Sequence, residues 1–424
     1  MRAFRQLLAA TALRIFRVAL MSIVAPVLRL TPFGNSQRKS VLFVGQAYYN
    51  AWYLSRALRD IGWRADLLNW DSNLENRKYY HGEDFALPYA SKVDTWKFVR
   101  FYLWALYHYD IFHFSNKGGM QFGEPLRALF ERVFGQGFEI RFLKILGKKI
   151  VYSNNGCLDG VSQSAFSKWG ANSVCDSCVW RTVPSVCSDE INLAWGAFRN
   201  EMADFQCLLG GNRADFNIAS TVHEVPEFYC LDRQLWHPDL QIPVAYRYQF
   251  PPGTLLLYHA VGNYAERTDK DGVNIKSTHI YNPLIKRLQQ EGHNLEIVFC
   301  TNVPNIDVRF YQSQAAIFLE MLTYGWFGAN AREAMMLGKP VICYLRPEWL
   351  ESARLEIPDY INELPIVNAN PDNIHDILVD LIANKQKRLE IGRRSREFAL
   401  KWHSSEAAGR RFDKIYSGLL GLQG

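Results

Sequence analysis

The chain has 424 residues, 48% of them hydrophobic and 21% charged, which excludes a disordered polypeptide and allows two or three packed domains. Its net charge is +6, yet seven basic residues and no acidic one fall within residues 1–39. The remaining 41 basic and 42 acidic residues nearly cancel, so we expect no general nucleic-acid-binding surface.

Residues 1–39 form a basic and apolar arm. Its longest uncharged stretch, Val18–Leu28, is eleven residues long, about half of what a spanning helix needs. Arg14 and Arg17 interrupt the apolar part and no small-x-small cleavage site follows, which argues against a signal peptide. We expect the arm to lie on an anionic membrane surface, with the protein peripheral on the cytoplasmic face. A helix packed on the body is the alternative.

Segment 40–250 has the pattern of an α/β domain. The apolar run Val41–Gly45 predicts a buried parallel strand, and apolar residues at helical spacing predict a helix that ends at Gly62. Further strands are predicted over Arg64–Asn69, Ile111–Ser115, Lys149–Ser153 and Phe216–Ser220. Segment 153–190 is rich in Ser, Asn and Cys, a composition that indicates a long insertion.

The first strand-to-helix loop of this domain holds three candidate acceptor-side residues. Gly45, Tyr48 and Asn50 follow the first predicted strand. In parallel sheets, ligands bind at the loops beyond the carboxyl ends of the strands. An ordinary surface loop is the equally weighted alternative.

Pro251-Pro252-Gly253 is a natural hinge, and residues 251–400 predict a second α/β domain. Its predicted strands cover Thr254–His259, Leu295–Cys300, Ala315–Leu319 and Val341–Leu345. Helices are predicted over Ile280–Glu291 and Asn330–Leu337, followed by amphipathic stripes at 374–382 and 412–420. Because strands alternate with helices throughout, both halves should contain mostly parallel sheets.

Residues 320–344 carry the pattern most informative about function. A strand leads into a loop with Gly325 and Gly328, which let the backbone approach a ligand closely. The helix that follows can hold a phosphate on its free N–H groups. Glu333, in its first turn, can accept hydrogen bonds from ribose hydroxyls. Alternatively, Asn330 is the N-cap and Glu333 its capping partner.

The same segment resembles a known family. Glu333-Ala-Met-Met-Leu-Gly-Lys-Pro-Val-Ile resembles the E-A-M-x-x-G-x-P-V signature of retaining GT-B glycosyltransferases, the family 4-like enzymes of bacterial surface-polysaccharide type. Gly325-Trp-Phe-Gly328 resembles the G-W-[YF]-G variant of a bacterial subset, and Lys276-Ser277-Thr278 resembles the K-G-T motif. The resemblance covers most of residues 40–420 and is dense from 255 to 345.

The resemblance implies two Rossmann-like domains facing a cleft, with a helix in 401–424 crossing back to the first. It implies that Glu333 binds the donor ribose, that Lys276 contacts the diphosphate, and that Gly328 and Ala329 offer backbone contacts to the phosphates. Gly325 stands where the family often has Glu, and Glu320 is the nearest carboxylate. The remaining candidates are Arg267, in place of the family's arginine, and His113, which resembles a histidine of the first domain or is a buried structural residue.

The resemblance implies a transferase that moves a sugar from a nucleotide-diphosphate sugar to a glycan or lipid-linked acceptor. Lys276 and the helix start can stabilise the departing diphosphate, so no catalytic metal is expected. Two alternatives remain open. One is a nucleotide-sugar epimerase, and the other is a catalytically silent binding or scaffold protein, which the glycine at position 325 favours.

Four cysteines cluster in the insertion. Cys175 and Cys178 have the two-residue gap that lets two thiolates share one metal, and Cys157 and Cys187 flank them. Four thiolates would form a closed tetrahedral zinc site, which a weakly apolar insertion of this length needs as a staple. Structural zinc is therefore expected here, with disulfides or free buried thiols as alternatives.

Overall fold

The computed structural model describes residues 37–45, 48–88, 94–115, 126–153, 160–168, 174–208 and 213–422, with Gly119 and eight isolated positions before residue 37. Most of the arm and its expected membrane contact therefore lie outside the described residues. No helix in the described part of the chain combines the length and apolar character needed to cross a bilayer.

The first domain is built on a seven-stranded parallel sheet in the order β3-β2-β1-β4-β5-β6-β7. Its strands are β1 (Ser40–Gly45), β2 (Arg64–Asn69), β3 (Phe85–Ala86), β4 (Ile111–Phe114), β5 (Lys149–Ser153), β6 (Phe205–Leu208) and β7 (Val222–Glu224). Every residue of β1 is buried, because helices cover both faces of the sheet. The continuous apolar run of β1 follows from this double cover.

The helices of this domain are α1 (Tyr49–Asp60), α2 (Asp94–His108), α3 (Leu126–Phe134), α4 (Phe138–Ile145), α5 (Gln163–Phe166) and α6 (Asp189–Met202). In α1, Leu54, Leu58 and the small Ala57 face the core, as the apolar spacing predicts. The helix ends at Asp60, just before Gly62, whose φ of +89° favours glycine.

The second domain has a five-stranded parallel sheet in the order β12-β11-β10-β8-β9. Its strands are β8 (Leu255–Ala260), β9 (Leu295–Cys300), β10 (Ile317–Leu319), β11 (Val341–Cys343) and β12 (Val367–Asn368). Its helices are α7 (Tyr264–Arg267), α8 (Thr278–Gln290), α9 (Asn305–Gln314), α10 (Ala329–Met336), α11 (Pro347–Glu356), α12 (Pro358–Glu363), α13 (Ile374–Ala383), α14 (Lys385–Trp402) and α15 (Ser405–Leu420). Two parallel sheets with helices on their faces confirm the predicted α/β class.

The last helix, α15, packs on α1 of the first domain. A Cβ built on Gly409 would lie 3.0 Å from the Cβ of Ala57, so the two helices approach closely. Asp413 Oδ1 accepts a hydrogen bond from Trp63 Nε1 at 2.7 Å and pairs with Lys39 at 3.2 Å. The chain end is thereby part of the first domain's packing.

One predicted strand is wrong. Residues Asp215–Ile218 form a 3₁₀ turn where the sequence pattern predicts a strand over 216–220. Asp215 has a φ of +46° and its carboxylate accepts two hydrogen bonds from Ser162, while the Phe216 ring packs on Gly196. These long-range contacts override the local alternation of apolar residues. The true strands on either side, β6 and β7, were not among those predicted.

Candidate donor site between the domains

The loop from β10 to α10 needs both of its glycines. Gly325 has a φ of +88°, and a Cβ there would lie 2.7 Å from the Cβ of Arg346. A Cβ on Gly328 would lie 3.0 Å from Lys276 Nζ and 3.3 Å from Glu320 Oε2. The loop therefore places Lys276 and Glu320 beside Gly328 at the start of α10. Because Gly328 has no side chain, its backbone stays accessible to a ligand.

Lys276 and Glu320 form a nearly buried ion pair beside Gly328. Nζ and Oε1 are 2.5 Å apart, and the side chains are 14% and 4% exposed. Ser277, at a φ of +66°, fixes the loop because its hydroxyl accepts a hydrogen bond from the Leu322 amide at 2.9 Å. A lysine held in this way presents positive charge at the start of a helix, where the helix dipole also attracts anions.

Glu333 is fully buried and accepts three side-chain hydrogen bonds. Oε1 accepts from the Tyr49 hydroxyl at 2.9 Å and from Asn305 Nδ2 at 3.0 Å, and Oε2 accepts from Gln312 Nε2 at 2.6 Å. Burial raises the pKa of Glu333, while the three hydrogen bonds act to lower it. Since Tyr49 belongs to the first domain, one of these bonds joins the two domains.

The capping interpretation of Glu333 is wrong. Helix α10 begins at Ala329 with Gly328 as its N-cap, so Asn330 lies inside the helix. Glu333 therefore lies in the second turn instead of the first, and its carboxylate accepts bonds only from side chains of other elements. Helix capping therefore does not explain why the Glu333 side chain is buried.

A small cavity of about 70 Å³ adjoins this site. Its lining is neutral and comes from both domains: Tyr79, Tyr258, Ala260, Gly262, Cys300, Thr301, Asn302, Val303, Asn305, Val308 and Asn330. Asn305 belongs both to this lining and to the donors of Glu333. Asn305 thus connects the Glu333 carboxylate with the cavity, which lies at the carboxyl ends of β8 and β9.

Arg332 is a buried cation that the sequence patterns did not single out. Its guanidinium carbon lies 4.2 Å from the ring centre of Tyr229 and 4.8 Å from those of Trp326 and Phe327. These cation–π contacts hold the G-W-F-G loop against α10 and against the segment that follows β7. An arginine next to the signature Glu is the signal that could have pointed to it.

The acceptor-side candidates separate into two groups. Tyr48 is exposed and packs against the rings of Tyr79 and Tyr80, with centroids 6.1 and 5.9 Å away. Gly45 and Asn50 are buried, and Asn50 Nδ2 donates to the carbonyl of Phe228 at 3.4 Å. Tyr48 is therefore the candidate that is open to a ligand.

His113 lies in the core of the first domain. It is fully buried, and its ring nitrogens contact the hydroxyls of Tyr416 at 2.6 Å and of Ser153. Burial lowers its pKa to about 3, so the ring is neutral. With both nitrogens engaged, this geometry fits the structural interpretation better than a contact with substrate.

Arg267 contacts the Cys-rich insertion. It is half-buried, at the end of α7, with its guanidinium 5.8 Å from the ring centre of Trp180 in the Cys-rich insertion. The sequence resemblance grouped Arg267 with the donor residues, whereas its neighbours here are the insertion and the Tyr48 side of the cleft.

Three of the four candidate zinc ligands are described. Cys175, Cys178 and Cys187 are half-buried, and the Cys178 amide donates to the Cys175 carbonyl at 3.1 Å. Gln163 Nε2 donates a hydrogen bond to Cys187 Sγ at 3.3 Å. Within the described ranges, no group of three or more Cys, His, Asp and Glu side chains is arranged to hold a metal. Cys157 lies outside the described residues, so zinc stays a prediction.

No family profile and no curated protein matches the chain. Among solved structures, sucrose-phosphate synthase from Thermosynechococcus elongatus is similar with a TM-score of 0.54 and 16% identity over 91% of this chain and 99% of that one. HepE from Anabaena, in complex with UDP-glucose, has a TM-score of 0.53 and 12% identity over 89% of this chain and 99% of that one. WaaG, a glycosyltransferase involved in lipopolysaccharide biosynthesis, has a TM-score of 0.51 and 13% identity over 89% of this chain and 100% of that one. With two Rossmann-like domains enclosing a site built on Lys276, Gly328 and Glu333, the chain has the GT-B fold of these glycosyltransferases.

Proposed function

We propose that the protein is a retaining glycosyltransferase that takes a sugar from a nucleotide-diphosphate donor. The observation that carries this proposal is the convergence of Lys276, Glu320 and Gly328 at the start of α10, with Glu333 in the next turn. Lys276 and the segment that holds Glu320, Gly328 and Glu333 thus come together at the start of α10. The G-W-F-G loop and the Glu333 signature supply the resemblance to retaining enzymes.

In this proposal each part of the donor has its own contacts. Part of the nucleoside enters the small neutral cavity beside Asn305, and its ribose hydroxyls bind the Glu333 carboxylate. The diphosphate accepts hydrogen bonds from the backbone at Gly328 and Ala329. Lys276 then neutralises the charge that the diphosphate gains as the glycosidic bond breaks, and no catalytic metal is required.

The acceptor proposal rests on the arm and on analogy. Seven basic residues in 1–39 suit an anionic membrane surface, so we propose a lipid-linked glycan intermediate as the acceptor and the cytoplasmic membrane face as the location. WaaG, which shares the fold, is by its title involved in lipopolysaccharide biosynthesis, and HepE was solved with UDP-glucose. We also retain a structural zinc held by Cys157, Cys175, Cys178 and Cys187.

Calorimetry with UDP, GDP and ADP on the wild type and on Glu333→Ala tests the donor site. Losing charge-assisted hydrogen bonds worth roughly 1.5–3 kcal/mol should weaken the preferred nucleotide by about one to two orders of magnitude. Glu227→Ala is the matched control, because Glu227 is also a buried carboxylate with a pKa raised by burial but lies in the first domain. Wild-type affinity in Glu333→Ala would overturn the donor assignment and favour the silent scaffold.

Lys276→Ala tests the chemical step separately. Its charge matters most while the diphosphate leaves, so turnover of the donor sugar should fall more than nucleotide affinity does. The measurement is the rate of donor-sugar hydrolysis, detected as the release of the nucleotide. Equal losses in affinity and turnover would mean that Lys276 only binds the nucleotide.

A further inference from the structure

Side chains from four separate segments form two contacting pairs where the two domains face each other. Tyr48 follows β1, Tyr79 ends the 3₁₀ turn Leu74–Tyr79, Trp180 belongs to the Cys-rich insertion, and Arg267 ends α7. The Tyr48 and Tyr79 rings are 6.1 Å apart, and the Arg267 guanidinium lies over Trp180. We call these four residues the mouth cluster.

Polar contacts tie the two sides of the mouth cluster together. Asn263 Oδ1 accepts from Lys78 Nζ at 3.0 Å and from the Tyr79 hydroxyl at 3.3 Å. The Arg267 amide donates to the Asn263 carbonyl at 3.1 Å, so Arg267 is held one helical turn from the Tyr79 contact.

The insertion reaches the second domain at another point as well. Phe166 packs on Tyr324 with ring centres 5.8 Å apart, and the Arg346 guanidinium lies 5.7 Å from the Phe166 ring centre. Tyr324 directly precedes Gly325 of the donor loop. The insertion thus borders the proposed donor site on one side and supplies Trp180 to the mouth cluster on the other.

The mouth cluster carries the positive charge of Arg267 and lies near two carboxylates, those of Asp71 and Glu266. Arg267 forms no ion pair with a carboxylate of the described residues. Lys78, beside the cluster, donates hydrogen bonds to the side chains of Asn263 and Asn302. Its ion pair with Glu75 is long, at 4.0 Å, and Glu75 is 84% exposed. Aromatic rings offer flat apolar faces, and a guanidinium binds carboxylate or phosphate oxygens in a bidentate manner.

We propose that the mouth cluster is the acceptor subsite and that it selects a sugar bearing an anionic group. The proposal rests on the proposed function, because it names the acceptor class of the same cleft. Tyr48, Tyr79 and Trp180 cover the sugar ring, and Arg267 binds its carboxylate or phosphate. The Cys-rich insertion then serves as the part of the chain that completes acceptor recognition, and Arg267 belongs to the acceptor instead of the donor.

The test uses the full chain loaded with whichever of UDP, GDP and ADP binds it. Three probes are titrated by saturation-transfer NMR: methyl β-D-glucuronide, D-glucose 6-phosphate and the neutral methyl β-D-glucoside. We expect at least one anionic probe to bind about tenfold or more tightly than the neutral one, and the better anion identifies carboxylate or phosphate as the recognised group. Arg267→Gln should remove this difference, and Trp180→Ala should weaken all three probes.

Arg64→Gln is the matched control. Its guanidinium also lies over aromatic rings, 5.2 Å from the ring centre of Trp104 and 5.0 Å from that of Tyr109. Arg64, however, begins β2 and so lies at the amino end of the strands, whereas Tyr48 follows the carboxyl end of β1. It should leave probe binding unchanged. Equal affinity for charged and neutral probes, or no binding of any probe, would overturn the proposal.

Nucleotide affinity measured on the same samples separates the two levels of inference. Absence of nucleotide binding would overturn the proposed function itself. Normal nucleotide binding without probe discrimination would overturn only the acceptor proposal. A loss of nucleotide affinity in Arg267→Gln with unchanged probe binding would return Arg267 to the donor site, and would also overturn the acceptor proposal.

Discussion

Tyr49→Phe should make the protein bind its nucleotide more tightly. The Tyr49 hydroxyl donates to Glu333 Oε1, the carboxylate proposed to bind ribose, and links the two domains. A ribose hydroxyl that uses the same oxygen must displace it. The bond therefore holds the empty site in a closed form, which the nucleotide has to open before it binds.

The structure sets the magnitude of this effect. A hydrogen bond to a charged group contributes roughly 1.5–3 kcal/mol, and each 1.4 kcal/mol is tenfold in affinity, so the gain should be about ten- to a hundredfold. Phenylalanine keeps the buried ring and its packing on His81 and Trp236, whose ring centres are 5.2 and 5.7 Å away. Oε1 keeps the bond from Asn305, so the variant leaves no buried oxygen without a donor.

Calorimetry with the preferred nucleoside diphosphate at pH 8 and thermal denaturation of the free protein are the two measurements. We expect tighter binding together with a lower melting temperature. Tyr53→Phe is the matched control on the same helix, because the Tyr53 hydroxyl contacts His81 Nδ1 at 2.5 Å and leaves Glu333 untouched. It should lower the melting temperature and leave the affinity unchanged. Weaker binding in Tyr49→Phe would show that the hydroxyl contributes to the bound site, and unchanged binding would show that the nucleotide does not use Glu333.

Three further predictions concern the arm, the cysteines and pH. Deletion of residues 1–32 should move the protein to the soluble fraction, and vesicle binding should weaken with salt, since each surface charge contributes about 1 kcal/mol; unchanged membrane recovery would contradict this. Elemental analysis should find about one zinc per chain, lost in the Cys175→Ser, Cys178→Ser double variant while Cys207→Ser retains it; metal-free protein with reactive native thiols would refute the site. His113 has a folded pKa of about 3, so its unfolded form binds an extra proton between pH 3 and 6.5. The free energy of unfolding should therefore fall with decreasing pH below 6.5, by up to about 1.4 kcal/mol per pH unit from this group. Urea unfolding at several pH values should show that the unfolding free energy of His113→Asn depends less steeply on pH.

Most of the fold could be predicted because many of its strands are encoded by local runs of apolar residues. Runs such as Val41–Gly45 and Leu295–Cys300 are buried in parallel sheets, and their sequences show it without help from distant residues. The strand predicted over 216–220 is wrong because long-range contacts decide the local structure. Asp215 accepts a hydrogen bond from Ser162, and Phe216 packs against Gly196, both far away in sequence. β6 was missed because Gln206 and Cys207 interrupt its apolar run, although both are buried.

The donor loop could also be located from sequence, whereas the surroundings of Glu333 could not. Gly325 and Gly328 signal a close backbone approach, which the structure contains. Tyr49, by contrast, is 284 positions away from Glu333, and no local pattern connects a tyrosine at the start of one helix with a carboxylate in another domain. Long-range side-chain partners depend on how the two domains meet, which sequence periodicity does not encode.

The crossing of α15 back to the first domain has a consequence for how the protein is made. Tyr416 and Phe412 pack against His113, so part of the first domain's core is synthesised only after the second domain. At about 5–20 residues per second, the ribosome needs on the order of ten seconds or more to make the second domain that separates these pieces. During that interval the first domain exposes the groove that α15 later fills. A nascent chain arrested before residue 405 should therefore remain protease-sensitive in its first domain, although every strand of that domain has already left the ribosome.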